Sequence, residues 1–349
     1  MRATYIHGPR DIRFDKVPDP VLVHPTDALV KVIASCVCGS DLWPYRGVVP
    51  TSRPHPIGHE FVGIVEEVGR DVQNLRPGQF VIAPFTCCDG TCVNCQNGVQ
   101  TSCVNGAFWG GKDAQGTAMN GGQGEWVRVP VADGTLVATP EVPDDAMIPS
   151  LLTLSDVMGT GHHAALAAGV TKGSTVVVVG DGAVGQCAVL AAARLGADRI
   201  IVMSRNPARQ ALARDFGGTD LVAERGESGS AAVRDLLGGL GADSVLECVG
   251  TKESMTQALD AVRPGGRIGY VGAPSGGSEL NVRKMFSKNV GVAGGVAPVR
   301  AYLEELMIDV LSGELDPGRV FDLQLPLAKV AKAYRAMDER RSIKTLLRP

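Results

Sequence analysis

Three short segments of the chain carry side chains that could bind a metal ion and polarise a substrate oxygen. Cys38 begins a Cys-Gly-Ser-Asp segment, His59 lies in a Gly-His-Glu segment, and Asp156 precedes a glycine-containing segment. Cysteine, histidine and aspartate are zinc ligands, and three protein ligands with an open fourth position define a catalytic zinc site. The segments are far apart in sequence, so their spacing alone does not assemble them.

Each of these residues also has a structural interpretation. A single cysteine or histidine is more often packed in a core than bound to a metal. Asp156 could instead cap the helix that follows, since an aspartate side chain accepts backbone hydrogen bonds at a helix start. The metal interpretation therefore depends on further motifs in the same chain.

The cysteines suggest a second metal site. The chain has nine of them, and five lie between Cys87 and Cys103. In a cytosolic protein such a cluster more often binds a metal than forms disulfides. Residues 87–124 are also rich in glycine, and we expect them to form an irregular lobe.

A glycine-rich segment could bind the pyrophosphate of a dinucleotide. Residues 180–185 read G-D-G-A-V-G, follow a run of four valines and open a predicted helix over 183–195. The first glycine permits a tight turn, the second lets the backbone approach the pyrophosphate, and the third permits close packing of helix on strand. The helix N-terminus adds amide donors and partial positive charge. The expected cofactor contacts are Gly180, Gly182, Ala183, Val184 and Gly185.

The end of the second strand in this region favours NADP(H) over NAD(H). Enzymes that bind NAD usually place an acidic residue there, where it accepts a hydrogen bond from the ribose 2′-hydroxyl. Here Met203 is followed by Ser204 and Arg205, and Arg209 lies one helical turn further on. These side chains could bind a 2′-phosphate, which a carboxylate would repel. The alternative is an arginine that merely faces solvent.

These segments need a scaffold, and the pattern of the chain predicts two kinds. Residues 1 to about 150 contain short apolar or alternating runs separated by Gly and Pro, which predicts a mostly antiparallel β domain. From Ser174 onward strands alternate with helices, which predicts an α/β, doubly wound parallel sheet. The predicted strands are 176–179, 199–203, 244–249 and 267–271, and the predicted helices are 183–195, 207–216 and 300–311.

Together the motifs resemble one known family. The zinc alcohol dehydrogenase signature G-H-E-x-x-G-x(5)-G-x-x-V is matched by Gly58, His59, Glu60, Gly63, Gly69 and Val72. With the Cys38 segment and the glycine loop, the chain is similar over nearly its whole length to the medium-chain dehydrogenase/reductase family. Asp156 as third ligand resembles the bacterial secondary-alcohol dehydrogenase branch.

The resemblance implies two domains with the active site in the cleft between them. A GroES-like catalytic domain would comprise residues 1–152 and 292–349, and a Rossmann NADP-binding domain would comprise residues 153–291. Family members are usually homodimers or homotetramers, and the same is expected of this protein.

The resemblance also implies a role for each catalytic residue. Cys38, His59 and Asp156 would bind the catalytic zinc, and Glu60 would lie behind the metal and ligate it transiently. Ser40 would hydrogen-bond the substrate oxygen and start a proton relay. The metal would act as a Lewis acid, and the nicotinamide would carry the hydride.

Further positions are interpreted through the same resemblance. Trp43 stands where the family often has the outer histidine of the relay, so the relay is expected to run from Ser40 through a cofactor ribose hydroxyl to solvent. Lys344 occupies a position where a basic residue contacts the pyrophosphate. Phe108 and Trp109 could line the substrate entrance or pack within the lobe.

The cysteine lobe resembles the family's structural zinc site, C-x-x-C-x-x-C-x7-C. Cys92, Cys95 and Cys103 match the last three ligands, and Asp89 holds the first slot with Cys88 beside it. Register favours Asp89, whereas the softness of a thiolate favours Cys88. Such a zinc would be closed and coupled to folding. The alternatives are a three-cysteine remnant without metal and a disulfide formed during purification.

Composition excludes other classes of protein. The net charge of −3 and the lack of a long Lys/Arg cluster argue against nucleic-acid binding. The sequence has no run of about 18 apolar residues, and its first residues lack the apolar core of a signal peptide. We therefore expect a cytoplasmic protein that acts on a small molecule, with no nucleic-acid or membrane partner.

We predict a zinc-dependent oxidoreductase that transfers hydride between NADP(H) and an alcohol/ketone or alcohol/aldehyde pair, with secondary alcohols favoured. The nearest alternative is an NAD(P)-dependent polyol dehydrogenase, which would need polar groups in its substrate pocket. A catalytically dead zinc-binding family member that acts as a binding protein is the alternative from another class, and the intact ligand set and Ser40 argue against it.

Overall fold

The computed structural model describes residues 1–274 and 280–349 of the chain. The chain forms two compact units, one of Met1–Asp156 with Pro298–Pro349 and one of Val157–Ala297. These boundaries lie four and six residues beyond the predicted ones, after 152 and 291, and they place Asp156 in the first unit instead of the second. Within the described ranges, no helix is long and apolar enough to cross a membrane.

The first unit consists mainly of β-strands. Its strands are Arg2–Gly8, Asp11–Lys16, Ala28–Cys36, His55–Pro56, Phe61–Val68, Phe80–Ala83, Thr86–Cys87, Ala107–Phe108, Trp126–Val129, Val137–Ala138, Phe321–Pro326 and Lys344–Arg348. Its helices are Leu42–Arg46, Val93–Gln96, Ala132–Thr135, Ile148–Thr153, Val299–Leu311 and Val330–Asp338. Tighter helical turns occupy Gln100–Ser102, Asp145–Met147, Pro317–Val320 and Leu327–Lys329.

The main sheet of this unit joins strands from the two separate segments of sequence that form the unit. The strand Ala28–Cys36 pairs antiparallel with Phe61–Val68 and, at its C-terminal end, with Lys344–Arg348. Gly63 permits the first pairing, because a Cβ there would lie 2.2 Å from the carbonyl oxygen of Lys31. This close approach explains why the signature has a glycine at that position.

The second unit contains a parallel six-stranded sheet, as predicted. Its strands, in spatial order, are Asp220–Val222, Arg199–Met203, Thr175–Val179, Ala242–Glu247, Val262–Tyr270 and Gly291–Gly294. Its helices are Val157–Ala167, Ala183–Arg194, Pro207–Asp215, Gly226–Leu236, Lys252–Ala261 and Val282–Lys288. The order reverses beside Thr175–Val179, which is the place where ligands bind in sheets of this kind.

Local sequence explains the elements that surround this switch point. The valines of Thr175–Val179 are almost wholly buried, as expected of a central parallel strand covered on both faces. Asn206 caps the helix Pro207–Asp215 by accepting hydrogen bonds from the backbone amides of Ala208 and Arg209. Proline as first helical residue adds to this start signal.

Candidate active site, structural metal site and cofactor loop

The structure brings the predicted catalytic ligands together in the first unit. One donor atom from each of four residues lies within 4.8 Å of the others: Cys38, His59, Glu60 and Asp156. The sheet explains why Cys38, His59 and Glu60 lie close together. Ser35, near the end of one strand, pairs with Phe61, the first residue of the neighbouring strand. The end of one strand and the start of the other therefore deliver their ligands to the same place.

The separations of the donor atoms fit a tetrahedral zinc ion. Asp156 Oδ2 lies 3.6 Å from Cys38 Sγ and 3.6 Å from His59 Nε2. Bonds of about 2.0–2.3 Å to a tetrahedral zinc place neighbouring ligand atoms about 3.4–3.8 Å apart. The carboxylate of Asp156 thus faces the other two ligands, which favours the ligand interpretation over the helix cap.

The cluster also concentrates acidic groups in a buried space. Burial raises the pKa of Cys38, and the nearby carboxylates of Asp156 and Glu60 raise it further. Burial likewise raises the pKa of Glu60, against the opposing charge of Lys344. Anions held this close together out of water need a compensating cation. A zinc ion would supply that charge and favour the thiolate form of Cys38.

Asp41 orients the candidate ligand His59. Its Oδ1 lies 3.3 Å from His59 Nδ1, so that Nε2 faces Asp156. Burial lowers the pKa of His59, but the charges of Asp41 and Cys38 outweigh burial and hold that pKa well above its usual range. A carboxylate on the second ring nitrogen fixes the tautomer of a metal-binding histidine. Sequence reasoning missed this role, although Asp41 belongs to the quoted Cys-Gly-Ser-Asp segment.

Two buried side chains in turn hold Asp41. Gln123 Nε2 donates to Asp41 Oδ2 at 3.2 Å and to the carbonyl oxygen of Cys36 at 3.0 Å. The hydroxyl of Tyr334 donates to Gln123 Oε1 at 3.0 Å. Gln123 and Tyr334 are distant in sequence from the ligands and match no motif, so no signal in the sequence alone identified them.

Ser40 and two aromatic rings border the ligand cluster. Ser40 Oγ lies 3.5 Å from His59 Nε2, so the predicted proton-relay residue is beside the predicted ligands. The rings of Phe85 and Phe108 are centred 6.5 Å and 5.5 Å from the His59 ring. Phe108 is 52% exposed. An exposed apolar surface therefore adjoins the ligands.

Trp109 has a different place from its neighbour Phe108. It is buried, its indole N–H donates to the carbonyl oxygen of Pro84 at 2.9 Å, and its ring packs against Phe61. Of the two alternatives for these aromatic residues, lobe packing therefore applies to Trp109, while Phe108 remains a candidate for the substrate entrance.

Lys344 occupies a position that corrects its predicted role. Its ammonium lies 2.7 Å from Glu60 Oε1, donates to the carbonyl oxygen of Val37 at 3.3 Å, and belongs to a residue that is 1% exposed. The Glu60 carboxylate also accepts a hydrogen bond from Cys36 Sγ at 3.2 Å. Lys344 therefore supports Glu60 behind the ligand cluster and does not present its charge to an exposed pyrophosphate.

The cysteine lobe forms the second cluster of candidate ligands. The donor atoms of Asp89, Cys92, Cys95 and Cys103 lie within 4.8 Å of one another. Cys92 Sγ is 3.6 Å from Cys95 Sγ and 3.8 Å from Cys103 Sγ. Four ligands at these separations fit a closed tetrahedral zinc site.

The structure favours Asp89 over Cys88 as the fourth ligand. Cys88 Sγ is outside the cluster, lies 3.2 Å from the carbonyl oxygen of Gly134, and has a pKa raised to about 11 by burial. Burial would raise the pKa of Asp89, but hydrogen bonds from the backbone amides of Cys92 and Thr91 outweigh it and lower the pKa. Asp89 is therefore the better anion.

The glycine loop has the geometry that its motif predicts. Gly180 has a φ of 119°, and Gly182 precedes the helix Ala183–Arg194, so the amides of Ala183 and Val184 lie at the start of that helix. A Cβ at Gly185 would lie 2.1 Å from the carbonyl oxygen of Gly180. A side chain at position 185 would therefore force the loop to shift, and the amides at the start of the helix would suit an anion.

The side chains that follow the strand Arg199–Met203 are arranged differently from the prediction. Arg205 is exposed, but Arg209 is buried, and its Nη1 lies 3.2 Å from Asp181 Oδ1. The Ser204 hydroxyl donates to Asp181 Oδ2 at 2.9 Å. Arg209 is therefore paired with a carboxylate of the protein, and its expected contact with a 2′-phosphate stays a prediction. Sequence reasoning treated Asp181 as an unconstrained position of the glycine motif.

Comparison with known proteins identifies the family of the chain. Residues 24–141 match the alcohol dehydrogenase GroES-like domain, and residues 183–312 match the zinc-binding dehydrogenase family. The protein therefore belongs to the zinc-dependent alcohol dehydrogenases of the medium-chain dehydrogenase/reductase family. Its fold, a GroES-like domain with a Rossmann domain, is the one that the sequence predicted.

Individual relatives span the whole chain. A protein named "Probable zinc-binding alcohol dehydrogenase" from Mycobacterium tuberculosis is 34% identical over 352 residues, which cover 100% of this chain and 89% of that protein. Alcohol dehydrogenase TADH from Thermus sp. ATN1 has a TM-score of 0.91 at 33% identity and covers 100% and 99% of the two chains. A zinc-binding dehydrogenase structure from Sinorhizobium meliloti, bound to NADP, has a TM-score of 0.82 at 25% identity, with 100% and 99% coverage.

Proposed function

We propose that this alcohol dehydrogenase transfers hydride between NADP(H) and a secondary alcohol/ketone pair. The observation that carries the proposal is the convergence of Cys38, His59 and Asp156 on a space that fits zinc, with Ser40 beside them. Membership of the family supports oxidoreductase activity on small alcohols and carbonyl compounds. An aspartate as third ligand supports the preference for secondary alcohols.

The chain's own groups would hold the zinc and move the proton of the substrate. Cys38, His59 and Asp156 would hold the zinc, which supplies Lewis-acid polarisation of the substrate oxygen when bound. Ser40 Oγ is placed to accept the hydroxyl proton of an alcohol while the Ser40 hydroxyl passes its own proton on towards solvent, and both transfers run backwards in the reverse direction. Trp43 cannot carry that proton further, so Ser40 is the last side chain of the relay.

Supporting residues keep these groups in place. Asp41 holds the tautomer and orientation of His59. Lys344 holds Glu60 at the rear of the cluster, and the position of Glu60 among the donor atoms supports transient ligation when a substrate or water leaves. Phe85 and Phe108 offer apolar contacts to the alkyl part of a substrate.

The use of NADP(H) is proposed from the glycine loop and from the residues that follow the strand Arg199–Met203. The glycine loop and the helix that follows it would bind the pyrophosphate. Met203 is followed by Ser204 and Arg205 and not by an acidic residue, and the exposed Arg205 suits a 2′-phosphate. The NADP-bound relative from Sinorhizobium meliloti is consistent with this use.

The test is a comparison of kcat/KM for 2-butanol, 1-butanol and 2,3-butanediol, each with NADP and with NAD, alongside elemental analysis for zinc. We expect zinc in the protein and the highest kcat/KM with 2-butanol and NADP. A higher value with the diol would favour the polyol alternative, which requires polar groups that bind a second hydroxyl. Zinc-free protein without turnover of any of the three alcohols would overturn the proposal.

A Ser40→Ala variant separates catalysis from binding. We expect kcat to fall by about 100-fold or more, since a positioned proton acceptor contributes about that factor, while the zinc content stays unchanged. Ser40→Thr keeps the hydroxyl and serves as the matched control. Equal kcat in all three proteins would remove Ser40 from the mechanism.

A further inference from the structure

The glycine loop carries one acidic residue that faces the end of the second strand. Asp181 is the second residue after the strand Thr175–Val179, and Ser204 is the first residue after the neighbouring strand Arg199–Met203. The last residues of these two parallel strands are paired. The residues that follow the strands therefore lie side by side at the carboxyl edge of the sheet.

Asp181 engages the two predicted phosphate-binding groups at that edge. Its Oδ2 accepts the Ser204 hydroxyl at 2.9 Å, and its Oδ1 lies 3.2 Å from Arg209 Nη1. The same nitrogen of Arg209 lies 3.3 Å from the backbone oxygen of Asp181. All three residues are at most 6% exposed. The Ser204 hydroxyl thus donates its proton to Asp181, and the positive charge of Arg209 is already paired with the Asp181 carboxylate.

This edge is where the adenosine ribose of a bound dinucleotide lies in folds of this kind. NADP carries a phosphate dianion at the ribose 2′ position, whereas NAD carries a hydroxyl. A buried carboxylate repels a nearby dianion strongly, because charges interact more strongly out of water. A 2′-hydroxyl can instead donate a hydrogen bond to a carboxylate.

We infer that Asp181 is a specificity-determining residue that opposes the 2′-phosphate and so limits the preference for NADP(H). This inference rests on the proposed use of NADP(H). Arg205 favours the phosphate, and Asp181 acts against it because its charge cancels that of Arg209 and its carboxylate occupies the Ser204 hydroxyl. Removing the charge of Asp181 would release both groups to the phosphate.

The test compares the dissociation constants of NADPH and NADH for the zinc-loaded protein and its Asp181→Asn variant, read from nicotinamide fluorescence. We expect the ratio of the NADH constant to the NADPH constant to rise about five- to tenfold, mainly through tighter NADPH binding. The gain should shrink as ionic strength increases, because salt screens the interaction. Asp181→Ser, which keeps only a hydroxyl, should shift the ratio in the same direction and replaces Asp181→Asn where that variant fails to fold.

Asp235→Asn is the matched control, since it removes an exposed carboxylate from the same unit and should leave the ratio unchanged. An unchanged ratio in the Asp181 variants, or weaker NADPH binding with NADH unaffected, would overturn the inference. The latter result would mean that Asp181 holds Arg209 in place for the phosphate. The proposed NADP preference is tested by the wild-type ratio alone, and a wild type that prefers NADH would overturn that proposal. A rise of the ratio in the Asp181 variants would support the role of Asp181 in either case.

Discussion

Lys344 Nζ lies 2.7 Å from Glu60 Oε1, and both side chains are almost completely excluded from water. The pair joins the last strand of the first unit to the segment that carries His59. It places a positive charge beside the cluster of candidate metal ligands.

We predict strong coupling between these two residues. Lys344→Met should lower the free energy of unfolding by about 3 kcal/mol, because it leaves Glu60 as a buried, unpaired carboxylate. For the double variant Lys344→Met/Glu60→Gln, the decrease in the free energy of unfolding should be smaller than the sum of the two single decreases by about 1 kcal/mol or more. Urea unfolding of the zinc-loaded proteins measures this cycle, with Lys344→Arg as the control that keeps the charge. Additive losses would contradict the prediction.

Asp41 should govern the affinity of the catalytic metal. Asp41→Asn keeps the size of the side chain but weakens its hold on His59, and we expect zinc affinity at this site to fall by about 10–100-fold. Competition with a chelator measures the loss. The cysteine lobe serves as an internal control, because its ligands do not include Asp41; equal loss from both sites would instead indicate general unfolding.

Asp89 and Cys88 give opposite predictions for the structural metal. Asp89→Ala should cost the chain about one zinc ion and lower its melting temperature, because a closed zinc site contributes directly to folding. Cys88→Ser should retain that zinc, since Cys88 Sγ lies beside Gly134 and outside the cluster. Elemental analysis of the two purified variants decides the matter, and the reverse pattern would make Cys88 the ligand.

A buried ion pair away from both metal sites should make stability depend on pH. Burial raises the pKa of Asp113, but the hydrogen bonds from Arg128 and from the Thr117 amide, together with the positive charge of Arg128, outweigh burial and lower that pKa below its usual value. The stabilisation is therefore present above the unfolded pKa of about 3.9 and is lost as pH falls through the lower folded value. Between about pH 5 and 2, the free energy of unfolding should depend less steeply on pH in Asp113→Asn than in the wild type. An identical pH slope in the variant would refute the assignment.

Gly185 should affect both cofactors equally. The Cβ of Gly185→Ala would meet the carbonyl oxygen of Gly180 at 2.1 Å, so the loop must open to accept it. We expect NADPH and NADH binding to weaken by the same factor of about tenfold or more, since the pyrophosphate is common to both. Fluorescence titration measures this, and a selective loss of one cofactor would contradict the common pyrophosphate contact.

The sequence predicted those features that depend on local motifs. The glycine loop, Cys38, His59 and the lobe cysteines each belong to a short segment in which residue type and spacing carry the information. The supporting residues were missed because their contacts are distant in sequence. Gln123 and Tyr334 reach Asp41 through hydrogen bonds that only the folded chain creates.

Charge pairing was the other source of error. Both Lys344 and Arg209 were expected to meet cofactor phosphates, Lys344 from the family resemblance and Arg209 from its place one helical turn after Arg205. Each is buried against a carboxylate of the protein itself, Glu60 and Asp181 respectively. The sequence shows that these charges exist, but only the packing shows which of them are already neutralised.

The discontinuity of the first unit has a consequence for the order in which the protein can fold during synthesis. While the ribosome makes residues 157–297, the end of the strand Ala28–Cys36 still lacks its neighbour Lys344–Arg348, and Glu60 lacks its counter-charge. The second unit forms its parallel sheet from one continuous stretch of chain and can fold in that interval. The ligand cluster therefore gains its final electrostatic balance last, when the strand carrying Lys344 emerges.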